Sequence, residues 1–156
     1  MAITSAICNS FKTELLTGTH NFTASSGNTF KLALYSSNSA TLSKSTTAWA
    51  AASDPTADPT NTYEVTTTSS GYTSGGNSLT STTPALSGDT ACCLFASTSW
   101  GSTASFTARG CLIYNSSASN KAVCVVNFGA DKTVTTGTFT VEFPAQTAGN
   151  AIIQIA

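Results

Sequence analysis

Charged residues are the scarcest feature of this 156-residue sequence. They make up 8% of the chain, against about a quarter in an average soluble domain. Six Lys and Arg residues stand against seven Asp and Glu residues, and the net charge is −1. The sequence therefore offers no basic stripe for phosphate groups and no basic cluster for an anionic membrane. We expect a protein that binds neither nucleic acid nor membranes, and whose copies do not repel one another by charge.

Side chains that bind metals or transfer protons are few as well. The one histidine, His20, lies in a polar turn, and no G-x-S-x-G motif accompanies it. General-base catalysis requires a histidine with oriented partners, so we predict a turn or surface histidine. A zinc site requires about four spaced Cys or His ligands, which the spacing does not supply. We therefore predict no enzymatic activity, no catalytic residues, no metal site and no cofactor.

The five cysteines include no Cys-x-x-Cys pair. The first interpretation is that they are small buried apolar residues of a protein folded in a reducing cytosol. The alternative is a disulfide among Cys111, Cys124 and the adjacent Cys92 and Cys93. Residues 1–10 lack the charged start and apolar run of a secretory signal, and no stretch approaches the ~18 apolar residues of a membrane span. We therefore expect synthesis and folding in a cytosol.

Serine and threonine, roughly a third of the chain, fill the positions that charges usually occupy. The only helix signal covers residues 9–17, where Asn9 or Ser10 is placed to cap the first turn and Gly18 to end the last. Elsewhere apolar residues alternate with polar ones, which indicates half-buried strands. The predicted strands cover residues 30–35, 77–87, 90–100, 106–114, 122–128, 138–143 and 151–155. Pro84 interrupts the second of these strands and predicts an edge position for it.

This set of seven or eight short strands predicts an all-β fold, a single-domain β-sandwich or jelly roll over residues 1–156 with one short N-terminal helix. Gly71 to Gly76 predict a tight turn or bulge, and so do residues 129–132. Residues 36–62 form a long polar loop with two Asp-Pro pairs. Loops of this length are usually functional, so we expect this one to contact a neighbouring subunit.

Six residues are candidates for contacts with other proteins. Trp49 stands alone in the polar loop, and exposed aromatic residues often anchor interfaces. Arg109, the sole arginine, has two interpretations. In the first, the aliphatic part of the side chain packs on the protein while the guanidinium group reaches solvent. In the second, Arg109 pairs with Glu142 or Asp131 across a subunit contact. The full set of interface candidates is Phe11, Leu15, Trp49, Tyr63, Tyr72 and Arg109.

Several segments resemble small virion structural proteins of tailed bacteriophages. They are NSFKTELL (9–16), HNF (20–22), FKLALY (30–35), GYTSGG (71–76), FTARGCLIYN (106–115) and NFGADK (127–132). The resemblance covers nearly the whole chain outside residues 36–62, and it carries no catalytic motif. It implies a component of the virion that is made in the cytoplasm of a bacterial host.

Three functions are compatible with these features. The first is a capsid decoration, or cement, protein that binds the major capsid protein and itself, as a homotrimer. The second is a tail tube or fibre-associated subunit. The third is a carbohydrate- or receptor-binding module that would use Trp49, Tyr63 and Tyr72 with Asp54 or Asp58.

Overall fold

The computed structural model describes residues 3–36, 42–50, 63–65 and 71–156. Within these ranges the chain forms one short helix and eight strands. In chain order they are β1 (Ala6–Ile7), α1 (Asn9–Leu16), β2 (Phe30–Tyr35), β3 (Asn77–Leu79), β4 (Ser81–Ser87), β5 (Thr90–Phe95), β6 (Thr98–Asn115), β7 (Lys121–Val141) and β8 (Ile153–Ile155). The predicted all-β class with one short N-terminal helix is confirmed.

The strands form two antiparallel sheets that face each other in a sandwich-like arrangement. The larger sheet has the order β1-β7-β6-β2-β3, and the smaller has the order β4-β5-β8. Phe30 of the larger sheet and Phe95 of the smaller one lie with ring centroids 5.4 Å apart, and Phe22 stacks on Phe30 at 4.4 Å. These buried rings join the two layers, because aromatic side chains bury large apolar areas.

The β6–β7 hairpin is the centre of the larger sheet. Strand β6 pairs with β2 on one side and β7 on the other, and its residues from Gly110 to Asn115 are buried on both faces. The alternation of apolar residues predicted this central position correctly. The predicted bulge at 129–132 is confirmed too, because Gly110 pairs with Asn127 whereas Ala108 pairs with Lys132.

Three of the predicted strands differ from the observed ones. The strand expected over 77–87 is broken at Thr80, and not at Pro84, into β3 of the larger sheet and β4 of the smaller one. The single strand expected over 90–100 is interrupted after Phe95, and β6 begins at Thr98 in the other sheet. The strand expected over 138–143 is the last part of β7, which runs continuously from Lys121. Alternation does not report which sheet a segment joins, so it cannot locate a crossing between layers. Strand β4 is an edge strand, as Pro84 predicted, and its register shifts between Thr82 and Ala85.

Helix α1 starts one residue earlier than the capping prediction requires. Its N-cap is Cys8, which makes no side-chain capping hydrogen bond, so the prediction of Asn9 or Ser10 as the cap is wrong. Both residues lie inside the helix. Gly18 ends the helix as predicted, with φ of +72° and its N–H donating to the carbonyl of Leu15. Docking of buried Phe11 against His20 and Phe22 takes the place of a strong cap.

Candidate functional site

A partly buried polar network joins α1 to the β6–β7 hairpin. One carboxylate oxygen of Glu14 accepts a hydrogen bond from Lys121 Nζ at 2.6 Å, and the other accepts from His20 Nε2 at 2.9 Å. Partial desolvation raises the pKa of Glu14, but the hydrogen bonds from Lys121 and His20 and the charge of Lys121 outweigh it. The net effect is a pKa below the usual value for glutamate.

The surroundings of His20 fix which ring nitrogen carries the proton. Asn115 Oδ1 accepts from the N–H of Ser117, so Asn115 Nδ2 is the group that faces His20 Nδ1 at 3.0 Å and Asn28 Oδ1 at 3.0 Å. Nδ1 of His20 is therefore the acceptor and Nε2 the donor to Glu14. His20 is buried, which corrects the expectation of a surface histidine.

Both ring nitrogens of His20 are thus engaged within the chain. A general base needs a free nitrogen within reach of the proton that it removes. The network orders a helix, a turn and a hairpin, and the one lone pair of the neutral imidazole, on Nδ1, is engaged by Asn115. Sequence reasoning missed this network, because its members are far apart in the chain and no local spacing signals it.

A second polar cluster surrounds the buried carboxylate of Glu64. It accepts hydrogen bonds from the Tyr72 hydroxyl at 2.7 Å, from the N–H of Gly75 at 2.6 Å and from the Ser74 hydroxyl at 3.2 Å. The Tyr72 hydroxyl also accepts from the N–H of Leu34 at 3.0 Å. Burial is the main cause that raises the pKa of Tyr72. The negative charge of Glu64 and the hydrogen bond to Glu64 raise it further. Burial of a charged group requires hydrogen bonds that compensate it, and here they come from the glycine turn. The cluster therefore holds this turn against β2.

The five cysteines are all buried and carry free thiols. Burial raises the pKa of Cys8 to about 11 and that of Cys111 to about 12. The pKa of Cys124 is raised as well, mainly by burial and further by the neighbouring Cys111, Cys8 and Cys93. All five positions are buried, which agrees with the interpretation of the cysteines as small buried apolar residues. Thiols with pKa values this high are poor nucleophiles at neutral pH.

Metal ligands and membrane spans are not found in the described parts of the chain. Within residues 3–36, 42–50, 63–65 and 71–156, no three His, Cys, Asp or Glu side chains converge so that they could hold a metal ion. In the same ranges no helix has both the length and the apolar character that crossing a bilayer requires.

The structure places the six interface candidates in different environments. Phe11 and Tyr72 are buried in the core, so they serve the chain's own packing. Leu15, Trp49 and Tyr63 are half-buried, and Trp49 stacks on Tyr114 with centroids 5.2 Å apart.

Arg109 and the described part of the long loop pair with the chain's own residues. The Arg109 guanidinium lies 3.3 Å from the carboxylate of Asp131, one of its two predicted partners, within the same chain. Of the predicted contact loop 36–62, residues 36 and 42–50 are described, and the rest lies outside the described residues. Ala48 forms a bridge with Lys121, so this part packs on the hairpin.

An exposed apolar surface lies where α1 meets the smaller sheet. Leu16, Leu86 and Ile155 are 89%, 73% and 56% exposed, and they are the exposed large apolar side chains of the described residues. Leu86 pairs with Ala91, and Ala91 pairs with Ile155, so these three form one row on one face of the sheet. We call Leu15, Leu16, Leu86, Ala91 and Ile155 the apolar patch.

Two depressions border the apolar patch. A cleft of about 480 Å³ separates the turn after α1 from the smaller sheet, and Leu15, Ala91 and Ile155 contribute to its walls. A groove of about 260 Å³ lies between α1 and β8, with Leu15, Leu16 and Ile155 among its lining residues. Both are lined mostly by apolar atoms. Of the patch residues, only Leu15 was a sequence-based candidate, since local patterns do not report exposure.

No family model, curated protein or solved structure matches this chain. The functional argument therefore rests on the surface and the polar clusters described above.

Proposed function

We propose that this chain is a structural subunit that works by packing against other proteins. The observation that carries the proposal is the apolar patch. On a chain in which charged residues make up 8%, the exposed large apolar side chains of the described residues, Leu16, Leu86 and Ile155, lie together rather than scattered. Contiguous exposed apolar surface is typical of contact sites, whereas single exposed leucines are common everywhere.

Two features of the polar residues favour this function over an enzymatic one. The single histidine donates from one nitrogen and accepts at the other, both within the chain. The Glu64 carboxylate is buried and receives three hydrogen bonds from the glycine turn, from Tyr72, Ser74 and Gly75. Polar groups whose hydrogen bonds are made within the chain stabilise its fold, and those groups are not free to bind or activate a substrate.

As the specific role, we propose a bacteriophage capsid decoration protein that binds the major capsid protein. This part of the proposal rests on the resemblance of the sequence segments to virion structural proteins. A tail tube or fibre-associated subunit remains the alternative within the particle. The carbohydrate-binding alternative loses support, because Tyr72 is buried and its hydroxyl is engaged by Glu64. The homotrimer stays a prediction, and a dimer with two-fold symmetry is the competing state.

The test is the number of copies per purified particle, measured by quantitative mass spectrometry against the major capsid protein. About one copy per capsid subunit is the expected result for a decoration protein. A few dozen copies per particle would move the chain to the tail. Absence from particles would overturn the virion role.

A further inference from the structure

We propose that strand β8 pairs with β8 of a second copy of this chain, around a two-fold axis at Gln154, and that this pairing covers part of the apolar patch. The inference deepens the proposed structural role, on which it rests, by naming a partner. It is built from the sheet order, the sequence of β8 and the groove beside it.

Strand β8 is the last strand of the smaller sheet, after β4 and β5. One of its edges pairs with β5 through Ala91, Cys92 and Cys93. Among the described residues nothing hydrogen-bonds to the backbone of its other edge. An open edge presents unpaired N–H and C=O groups, which are a template for another strand.

The sequence of β8 is symmetric about its centre. In Ile153-Gln154-Ile155, an antiparallel pairing centred on Gln154 places Ile153 of each copy opposite Ile155 of the other. Directly opposite residues share one face of a sheet, so the isoleucines of both copies meet on the same side. This side is the inner one, because Cys93, the partner of Ile153, is buried. A self-complementary patch of this kind is what a two-fold dimer requires.

The groove beside β8, about 260 Å³ in volume, has room for a side chain of the added strand. Its walls are Ile153 to Ile155 on one side, and Phe11, Leu15 and Leu16 of α1 on the other. Ile155 of the second copy would enter this groove and bury apolar surface that is now exposed in both copies. The only charged residue in its lining is Lys12, and the chain carries a net charge of −1. Charge therefore gives little opposition to the approach of a second copy.

The open edge of β7 is a poorer template for the same pairing. Beyond Asn127 it carries the charges of Asp131 and Lys132, and the backbone has positive φ at Gly129 and Thr136. Charges and bulges are the devices that protect edges from pairing. Strand β8 has no charged residue. Strand β4, the other edge of the smaller sheet, is uncharged too, but it contains Pro84 and a register shift, so the structure favours β8 as the contact.

The first measurement is sedimentation equilibrium of the full chain over a range of concentrations. We expect the mass to rise with concentration from 15.9 kDa to twice that value. The variants Ile155→Lys and Leu16→Lys are expected to stay monomeric and folded, because both side chains are exposed. Thr138→Lys, exposed on the β7 edge, is the matched control and is expected to dimerise like the parent.

The second measurement tests the register. Gln154→Cys is expected to form an intermolecular disulfide under mild oxidation, since a two-fold axis at this residue brings the two copies within the 4.4–6.8 Å Cα separation that a disulfide allows, as a rough guide. Thr138→Cys is the control and should not cross-link. Cys92 lies directly opposite Gln154 on β5, so both cysteine variants are made in a Cys92→Ser background to exclude an intramolecular disulfide.

A monomer at all concentrations, a trimer, or an Ile155→Lys variant that dimerises like the parent would each overturn the pairing. These outcomes are separate from the test of the structural role. A monomeric chain that is abundant in particles would remove the pairing and leave the role in place. A dimer that is missing from particles would remove the virion role and leave the pairing in place.

Discussion

Glu14 on the N-terminal helix and Lys121 at the start of β7 are joined by a 2.6 Å hydrogen bond between residues 107 positions apart in the chain. His20 donates to the same carboxylate, so one side chain connects the helix, the turn after it and the central hairpin. Hydrogen bonds to a charged acceptor are stronger than neutral ones. The stability of the helix against the sheet therefore depends on the ionisation of Glu14.

Glu14→Gln is expected to lower the free energy of unfolding by about 2 kcal/mol at pH 7, because a charged acceptor with two donors becomes neutral. The pKa of Glu14 is lowered in the folded state. Its carboxylate therefore contributes stability above its unfolded-state pKa, and the contribution is lost as the pH falls through the folded-state pKa. The gap between parent and variant should close as the pH falls below about 4.

Urea unfolding at several pH values between 7 and 3 measures this gap. Glu142→Gln is the control, since Glu142 is exposed, and its effect should stay within about 0.5 kcal/mol. A gap for Glu14→Gln that does not change with pH would contradict the electrostatic explanation.

Tyr72→Phe is expected to destabilise the fold by about 2–3 kcal/mol, because it leaves the N–H of Leu34 without its acceptor and the buried Glu64 with one donor fewer. Chemical denaturation is the measurement. Tyr63→Phe is the matched control, because the hydrogen bonds that join Tyr63 to Ser36 use its backbone carbonyl. Equal effects of the two substitutions would show that the Glu64 cluster contributes little.

Gly76 and Gly88 form a matched pair for testing the glycine turn. Both have positive φ, +68° and +62°, but an added Cβ at Gly76 would overlap the carbonyl of Leu32, whereas the space at Gly88 is open. Gly88→Ala is expected to lose about 1–2 kcal/mol through backbone conformation alone. Gly76→Ala should lose at least about 2 kcal/mol more, since backbone atoms must move. Similar unfolding midpoints for the two variants would refute the close approach of the turn to β2.

The buried thiols are expected to react slowly in the native protein. Burial raises the pKa values of Cys8, Cys93, Cys111 and Cys124, so their reactive thiolates are scarce at pH 8, and Cys92 is shielded because it is 1% exposed. A thiol reagent such as DTNB should label none of the five cysteines within minutes in buffer and all five in guanidinium chloride. Rapid labelling of Cys111 or Cys124 without denaturant, located by peptide mass spectrometry, would show that the core around these residues opens readily.

Local patterns predicted much of the fold. The alternation in residues 106–114 and 122–128 located the central hairpin, and Pro84 marked an edge strand with a register shift. The boundaries that failed were those set by contacts. The cap of α1 was misplaced, because docking of Phe11 stabilises this helix more than a side-chain cap does. The crossings between Leu79 and Ser81 and between Phe95 and Thr98 were missed, since local patterns do not report a change of sheet.

The amino-acid sequence by itself determined the strand content, the glycine turns and the scarcity of charge, because each of these follows from residue type and near-neighbour spacing. Only the tertiary structure decided which polar groups meet. Glu14, His20 and Lys121 come together through chain folding that no local pattern encodes. It also decided which apolar residues stay uncovered. Leu15 and Leu16 are neighbours of the same type, yet one is half-buried and the other exposed, because exposure depends on what packs above each position.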